Sequence, residues 1–153
     1  SIDKKEKTKE IAYEFFNQIG NNAKKNDVLI CIEPQPKIYN SNYLINSNEV
    51  YNFVNNLNHK NVKMQLDTGS MIINNEDPRS ISNFKDKVGH IHISRPYLEP
   101  IYLNQEKNDI NFAINIKKSL PSYPVTIEML TKKEKAPLIS IYKSIEYVKK
   151  ILS

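Results

Sequence analysis

The stretch VLICIEPQPKIYNSNYLINSNEVYNFVNNLNHKNVKMQLD, residues 28–67, holds two short apolar runs that each end on a carboxylate, with one helical pattern between them. Residues 28–33 are compact and β-branched, which reads as a buried strand ending on Glu33. Residues 47–58 place Val50, Phe53, Val54 and Leu57 at helical spacing behind an expected N-cap at Ser47 or Asn48. VKMQLD then forms a second strand at 62–67, ending on Asp67. Strand, helix and strand in that order make a βαβ unit, whose parallel strands deliver their last side chains to one common rim.

The pattern continues outward in both directions. An opening helix to about Lys25 carries Ile11, Phe15, Ile19 and Ala23, and GNNAKKND closes it. A short helix is expected near Asp77 and Pro78 with Ile81 and Phe84 inward, followed by a strand at 88–94 that holds His92. Asp109 is expected to cap a helix bearing Phe112, Ile116 and Leu120. A strand at 124–128 ends on Glu128, and a last helix runs from about Pro137 to Ile151. Phe15, Phe53, Phe84 and Phe112 are expected to pack beneath the helices.

The expected fold is therefore α/β, a single domain over residues 1–153 made of parallel βα units. An eight-stranded (β/α)8 barrel takes roughly 250 residues, so 153 residues supply about half of one. Half a barrel leaves two unpaired sheet edges and an open inner face. Either a homodimer or a missing N-terminal half is expected to complete it.

Side chains two apart along a strand share a face, which tests the rim independently. Glu33, Asp67, His92 and Glu128 pass: one step deeper on their face lie Cys31, Gln65, His90 and Thr126. The opposite faces carry Ile30 and Ile32, Met64 and Leu66, Ile91 and Ile93, and Val125 and Ile127. A lone carboxylate ending a strand is commonly a helix cap. Four residues of metal-binding type at matching positions and parity point instead to one site. Three carboxylates and one imidazole suit Mn²⁺, Mg²⁺, Co²⁺ or Zn²⁺. His92 is preferred to His90 as the imidazole because it lies nearer the strand's C-terminal end. His90 and Gln65 are expected in a supporting layer beneath.

The composition excludes several classes. No apolar run approaches the roughly 20 residues of a membrane span, and SIDKKEKTKE lacks the pattern of a secretory or transit signal. One cysteine, Cys31, rules out an internal disulfide or a cysteine-based zinc site and suits a reducing, cytoplasmic setting. The net charge of +5 comes from lysines scattered over helix faces and loops, so no nucleic-acid partner is expected.

The segments IEPQPKIYNSNYL, QLDTGSMI, GHIHIS and VTIEM resemble the second half of the sugar phosphate isomerase/epimerase family. These xylose-isomerase-like TIM barrels share a superfamily with ketose 3-epimerases and with the apurinic-site endonucleases. The resemblance spans nearly the whole chain and implies strands five to eight of a barrel, with Glu33, Asp67, His92 and Glu128 as ligands of one divalent metal. It further implies that Glu33 and Glu128 exchange protons with a sugar or sugar phosphate through a metal-stabilised enediolate. Two departures stand out: Ser70 replaces the histidine that ketose epimerases place three residues after the metal-binding aspartate, and Tyr39 replaces a second acidic residue downstream of Glu33. Lys37, Arg95 and Tyr97 lie on expected rim loops as candidate substrate contacts.

Two other readings compete. A phosphodiesterase of the apurinic-site endonuclease type needs further histidines around a metal cluster, and only His90 and His59 remain. A non-catalytic half-barrel that serves binding or assembly would account for the length but leaves the ligand quartet unexplained.

Overall fold

The computed structural model describes residues 2–103, 107–132 and 134–153. Four strands, β1 (Ile30–Ile32), β2 (Val62–Asp67), β3 (Val88–Ser94) and β4 (Val125–Glu128), form one sheet in the order β1-β2-β3-β4. Every neighbouring pair is parallel. The helices are α1 (Ile2–Lys25), α2 (Ser47–Leu57), α3 (Thr68–Ile73), α4 (Ile81–Phe84), α5 (Lys107–Ser119) and α6 (Pro137–Leu152). The α/β alternation and the parallel strand order are those the sequence implied.

Met64, Leu66 and Ile91 point away from the ligand face and are buried with Val50, Phe53, Ile81 and Phe84. Each such side chain contributes roughly 1.5–3 kcal/mol of burial free energy, which makes this layer the main stabilising core. Residues Cys31, His90 and Thr126 on the other face are only partly covered or exposed. His90 Nε2 lies 2.8 Å from Thr126 Oγ1, across one strand step, as expected for side chains sharing a layer.

A bulge adjusts the sheet beside this layer. Met64 pairs with Val88, yet the next residue, Gln65, pairs with His90, so Gly89 is an extra residue in β3. A Cβ at Gly89 would stand 2.7 Å from Cys31 Sγ and from Lys63 Cβ, so a side chain has no room there. The bulge puts Val88 in the helix-side core while His90 and His92 face the opposite side.

Several local expectations need correction. Asn46 caps α2 and Ser47 lies inside it. Asn46 Oδ1 accepts the Glu49 N–H at 2.9 Å, and Glu49 Oε2 accepts the Ile45 N–H at 3.0 Å in return. Strand β1 is shorter than 28–33 because Val28 and Leu29 precede the first cross-strand pair, Ile30 with Val62, and are half exposed. Asp109 does not cap α5, which has begun by Lys107; it sits in the first turn and is buried. Along α1, Ile11 and Phe15 face solvent, while Tyr13 and Phe16 pack on Phe53 with ring centroids 4.8 and 5.4 Å apart. The helix carries two adjacent apolar stripes, and the aromatic contact with α2 selects the second. Helix α3 follows Asp67 without a loop, and Asp77 caps the short turn Pro78–Ser80 ahead of α4.

Candidate metal centre

Each residue of the expected quartet reaches the same point from a different strand. Glu33 follows β1, Asp67 ends β2, His92 lies opposite Asp67 in β3, and Glu128 ends β4 opposite Ser94. One donor atom from each lies within 4.8 Å of all the others. His92 Nδ1 is 3.0 Å from Glu33 Oε1 and 3.2 Å from Glu128 Oε2, so the imidazole stands between the two glutamates.

Asp67 is the most deeply held member. Its Oδ1 accepts the Ser70 N–H at 2.6 Å and its Oδ2 accepts the Ser94 hydroxyl at 2.6 Å. Ser94 Oγ in turn accepts the Gly69 N–H at 2.9 Å, and Thr68 Oγ1 accepts the Ser94 N–H at 2.9 Å. The start of α3 is thereby fastened to the end of β3, and the carboxylate is fixed between them. Asp67 is a helix cap and a candidate ligand at once, two roles that sequence reasoning set against each other. Ser94 was missed as a supporting residue, although it shares the parity of His90 and His92.

The electrostatics describe a site short of positive charge. Burial holds the Asp67 carboxyl above its ordinary range, against the lowering effect of the Ser94 and Ser70 hydrogen bonds. Burial and then the nearby Glu33 charge raise the Glu128 carboxyl. The hydrogen bond to Glu33 is the main cause raising His92, with the three carboxylate charges adding to it. Burial and the neighbouring His92 lower His90. Three carboxylate groups and one imidazole converging within reach of a single ion form a hard donor set, and the residues present fit a divalent cation.

Around the quartet is a cavity of about 380 Å³, whose walls include Gln35, Tyr39, Ser70, Tyr97, Leu98 and Leu130. Tyr97 therefore stands where the sequence placed it. Arg95 borders the cavity, but its guanidinium is buried and joined to Asp109 at 2.5 Å and to the Ile101 carbonyl at 3.2 Å. Lys37 is exposed on the short helical turn Lys37–Tyr39 and is not part of the cavity wall. Beneath the quartet, His90 stacks edge-on against His92 at 5.4 Å between centroids, and the Gln65 amide donates to the Leu66 carbonyl at 3.5 Å. His59 lies before β2, at the other end of the sheet, and its Nδ1 accepts the Asn61 N–H at 3.1 Å.

A family model described as xylose isomerase-like TIM barrel matches residues 1–101, a stretch that includes Glu33, Asp67 and His92. The chain belongs to the xylose isomerase-like TIM barrel family. No match to a curated protein was found. Among solved structures of that fold, the D-psicose 3-epimerase of Clostridium cellulolyticum H10, solved with D-tagatose, has a TM-score of 0.80 at 19% identity over 95% of this chain and 56% of that one. The D-allulose 3-epimerase of a Methylomonas species, solved with D-allulose, has a TM-score of 0.74 at 20% identity over 93% and 55%. The chain thus spans little more than half the length of these two epimerases. Among the described residues, no helix is long and apolar enough to cross a membrane.

Proposed function

We propose that this chain carries the metal-binding half of a sugar or sugar phosphate isomerase or epimerase, with residues 1–153 as one domain. The observation that carries the reading is the convergence of four donors from four separate strands. Glu33, Asp67, His92 and Glu128 would hold one Mn²⁺, Mg²⁺, Co²⁺ or Zn²⁺. When bound, such an ion polarises neighbouring substrate oxygens and acidifies the C–H bond between or beside them.

Glu33 and Glu128 flank His92 and are the candidates to exchange a proton with that carbon, one removing it and the other returning it. Burial and the Glu33 charge raise the Glu128 carboxyl, which favours its taking up a proton. Asp67, fixed by Ser70 and Ser94, is suited to a purely ligating part. The 3-epimerase structures support a sugar substrate, and Cys31 as a free thiol suits a cytoplasmic setting.

The inner face and both sheet edges call for completion. Beside β4 and α6 a groove of about 880 Å³ is lined by Val125, Ile127, Ile141, Ile145 and Val148. A second copy placed symmetrically about the barrel axis would bring three further carboxylates toward the same point, at a large electrostatic cost. Parallel βα units of different sequence fit better. The test is the metal content of the purified chain by elemental mass spectrometry: about one divalent ion per chain, lost in a Glu33→Gln/Glu128→Gln variant, supports the centre. A folded chain that takes up no metal would sink it.

A further inference from the structure

Tyr39 and Tyr97 meet at the mouth of the quartet's cavity in an arrangement that the fold alone does not require. Their rings pack edge to face at 6.3 Å, and the Tyr97 N–H donates to Tyr39 Oη at 3.1 Å. Both side chains remain open to solvent, Tyr97 at 61% and Tyr39 at 42%.

The backbone conformation that presents Tyr97 is costly. Tyr97 and Leu98 have φ values of 59° and 57°, two successive non-glycine residues in the left-handed region. Such a residue is strained and persists only where its surroundings hold it there. The surroundings do hold it. Arg95 is anchored to Asp109 at the start of the turn, the Leu98 N–H donates to the Arg95 carbonyl at 2.9 Å, and the Leu98 carbonyl accepts the Leu130 N–H at 2.7 Å. The turn is tied to α5, to the segment after β4 and to Tyr39, and the ring so displayed buries little of its own surface. The strained turn thus holds a largely exposed aromatic ring at the wall of the cavity that also contains Glu33, Asp67 and Glu128.

We propose that Tyr39 and Tyr97 form an aromatic platform that takes the C–H face of a carbohydrate ring whose hydroxyls point toward the quartet. The platform rests on the sugar isomerase reading and deepens it, because it assigns the apolar half of substrate recognition to this chain. A sugar ring has one face rich in C–H bonds and an edge rich in hydroxyls. The cavity pairs an aromatic wall with the carboxylates of Glu33, Asp67 and Glu128. Tyr39 Oη accepts from the backbone and keeps its own proton for a ring hydroxyl, so it both holds the turn and orients the ligand.

Saturation-transfer NMR on the intact chain, with D-fructose as probe and Mg²⁺ present, tests the platform. Transfer to the ring C–H protons is expected in the unmodified chain, to fall at least about five-fold in Tyr97→Ala, and to survive in Tyr97→Phe, which keeps the aromatic face. Tyr142→Ala, which removes an equally exposed ring on α6 away from the cavity, should leave the signal unchanged. Equal transfer in Tyr97→Ala and the unmodified chain overturns the platform, as does absence of transfer from the unmodified chain. Mg²⁺ retention measured on the same samples reports the metal centre separately, so failure of the platform and failure of the isomerase reading leave different signatures.

Discussion

Replacing Asp109 by alanine is expected to remove about 4 kcal/mol of folding stability, because it takes away a buried carboxylate that both the Arg95 guanidinium and the Tyr147 hydroxyl use. Arg95 and Asp109 are each 5% exposed and meet at 2.5 Å, and the Tyr147 hydroxyl donates to the same Asp109 oxygen at 2.9 Å. Two unit charges about 4 Å apart at an effective dielectric near 20 attract by about 4 kcal/mol. Breaking one side of a buried pair typically costs roughly 3–5 kcal/mol, and the Tyr147 hydroxyl loses an acceptor worth about 1 kcal/mol more. Relaxation and water entry recover part of that sum. An Arg95→Met/Asp109→Leu double variant removes both charges and should be far closer to the unmodified chain than Asp109→Ala. Urea unfolding followed by far-ultraviolet circular dichroism gives the four corners of a double-mutant cycle. A loss below about 1 kcal/mol for Asp109→Ala, or a double variant as unstable as the two single losses added, would refute the claim that this pair is held by mutual charge compensation.

The centre itself should respond to pH. Asp67, Glu128 and His92 all have raised folded-state values, so their proton-linked stability is present at low pH and lost as pH rises through those values in the metal-free chain. A cation displaces the same protons, so Mg²⁺ affinity should rise from mildly acidic to neutral pH with net proton release; calorimetry in buffers of different ionisation enthalpy that found neither would contradict this. Gly69→Ala should cost roughly 1–3 kcal/mol and weaken metal retention, because the added Cβ would lie 2.9 Å from the Arg95 carbonyl carbon and oxygen and push α3 off the end of β3. Thermal unfolding and metal content that both matched the unmodified chain would count against that tight junction.

The alternation of residue types made much of this legible in advance. Strict parity in β2 and the upper part of β3 placed Asp67 and His92 on one face with Met64, Leu66 and Ile91 on the other, and parallel order followed from helices between strands. What stayed hidden was set by contacts between segments distant in sequence. Arg95 looked like a rim cation because nothing local shows that Asp109, fourteen residues on, enters the interior to meet it. On α1, the choice between the Ile11/Phe15 stripe and the Tyr13/Phe16 stripe was made by Phe53 in another helix. TGSMII carries no obvious start signal beyond Asp67 itself, which had already been assigned as a ligand.

The extra residue at Gly89 makes β3 unequally tolerant of length changes along its course. Val88 pairs with Met64 and His90 with Gln65, so deleting the bulged residue would leave two adjacent residues that already face opposite sides, as ordinary alternation requires. A deletion between His90 and His92 has no such slack: it would put the two histidines on opposite sides of the sheet, one of them under the helices. The reading frame of the pleat, reset once at a glycine, is what keeps a hydrophobic layer and a polar site on opposite sides of one strand.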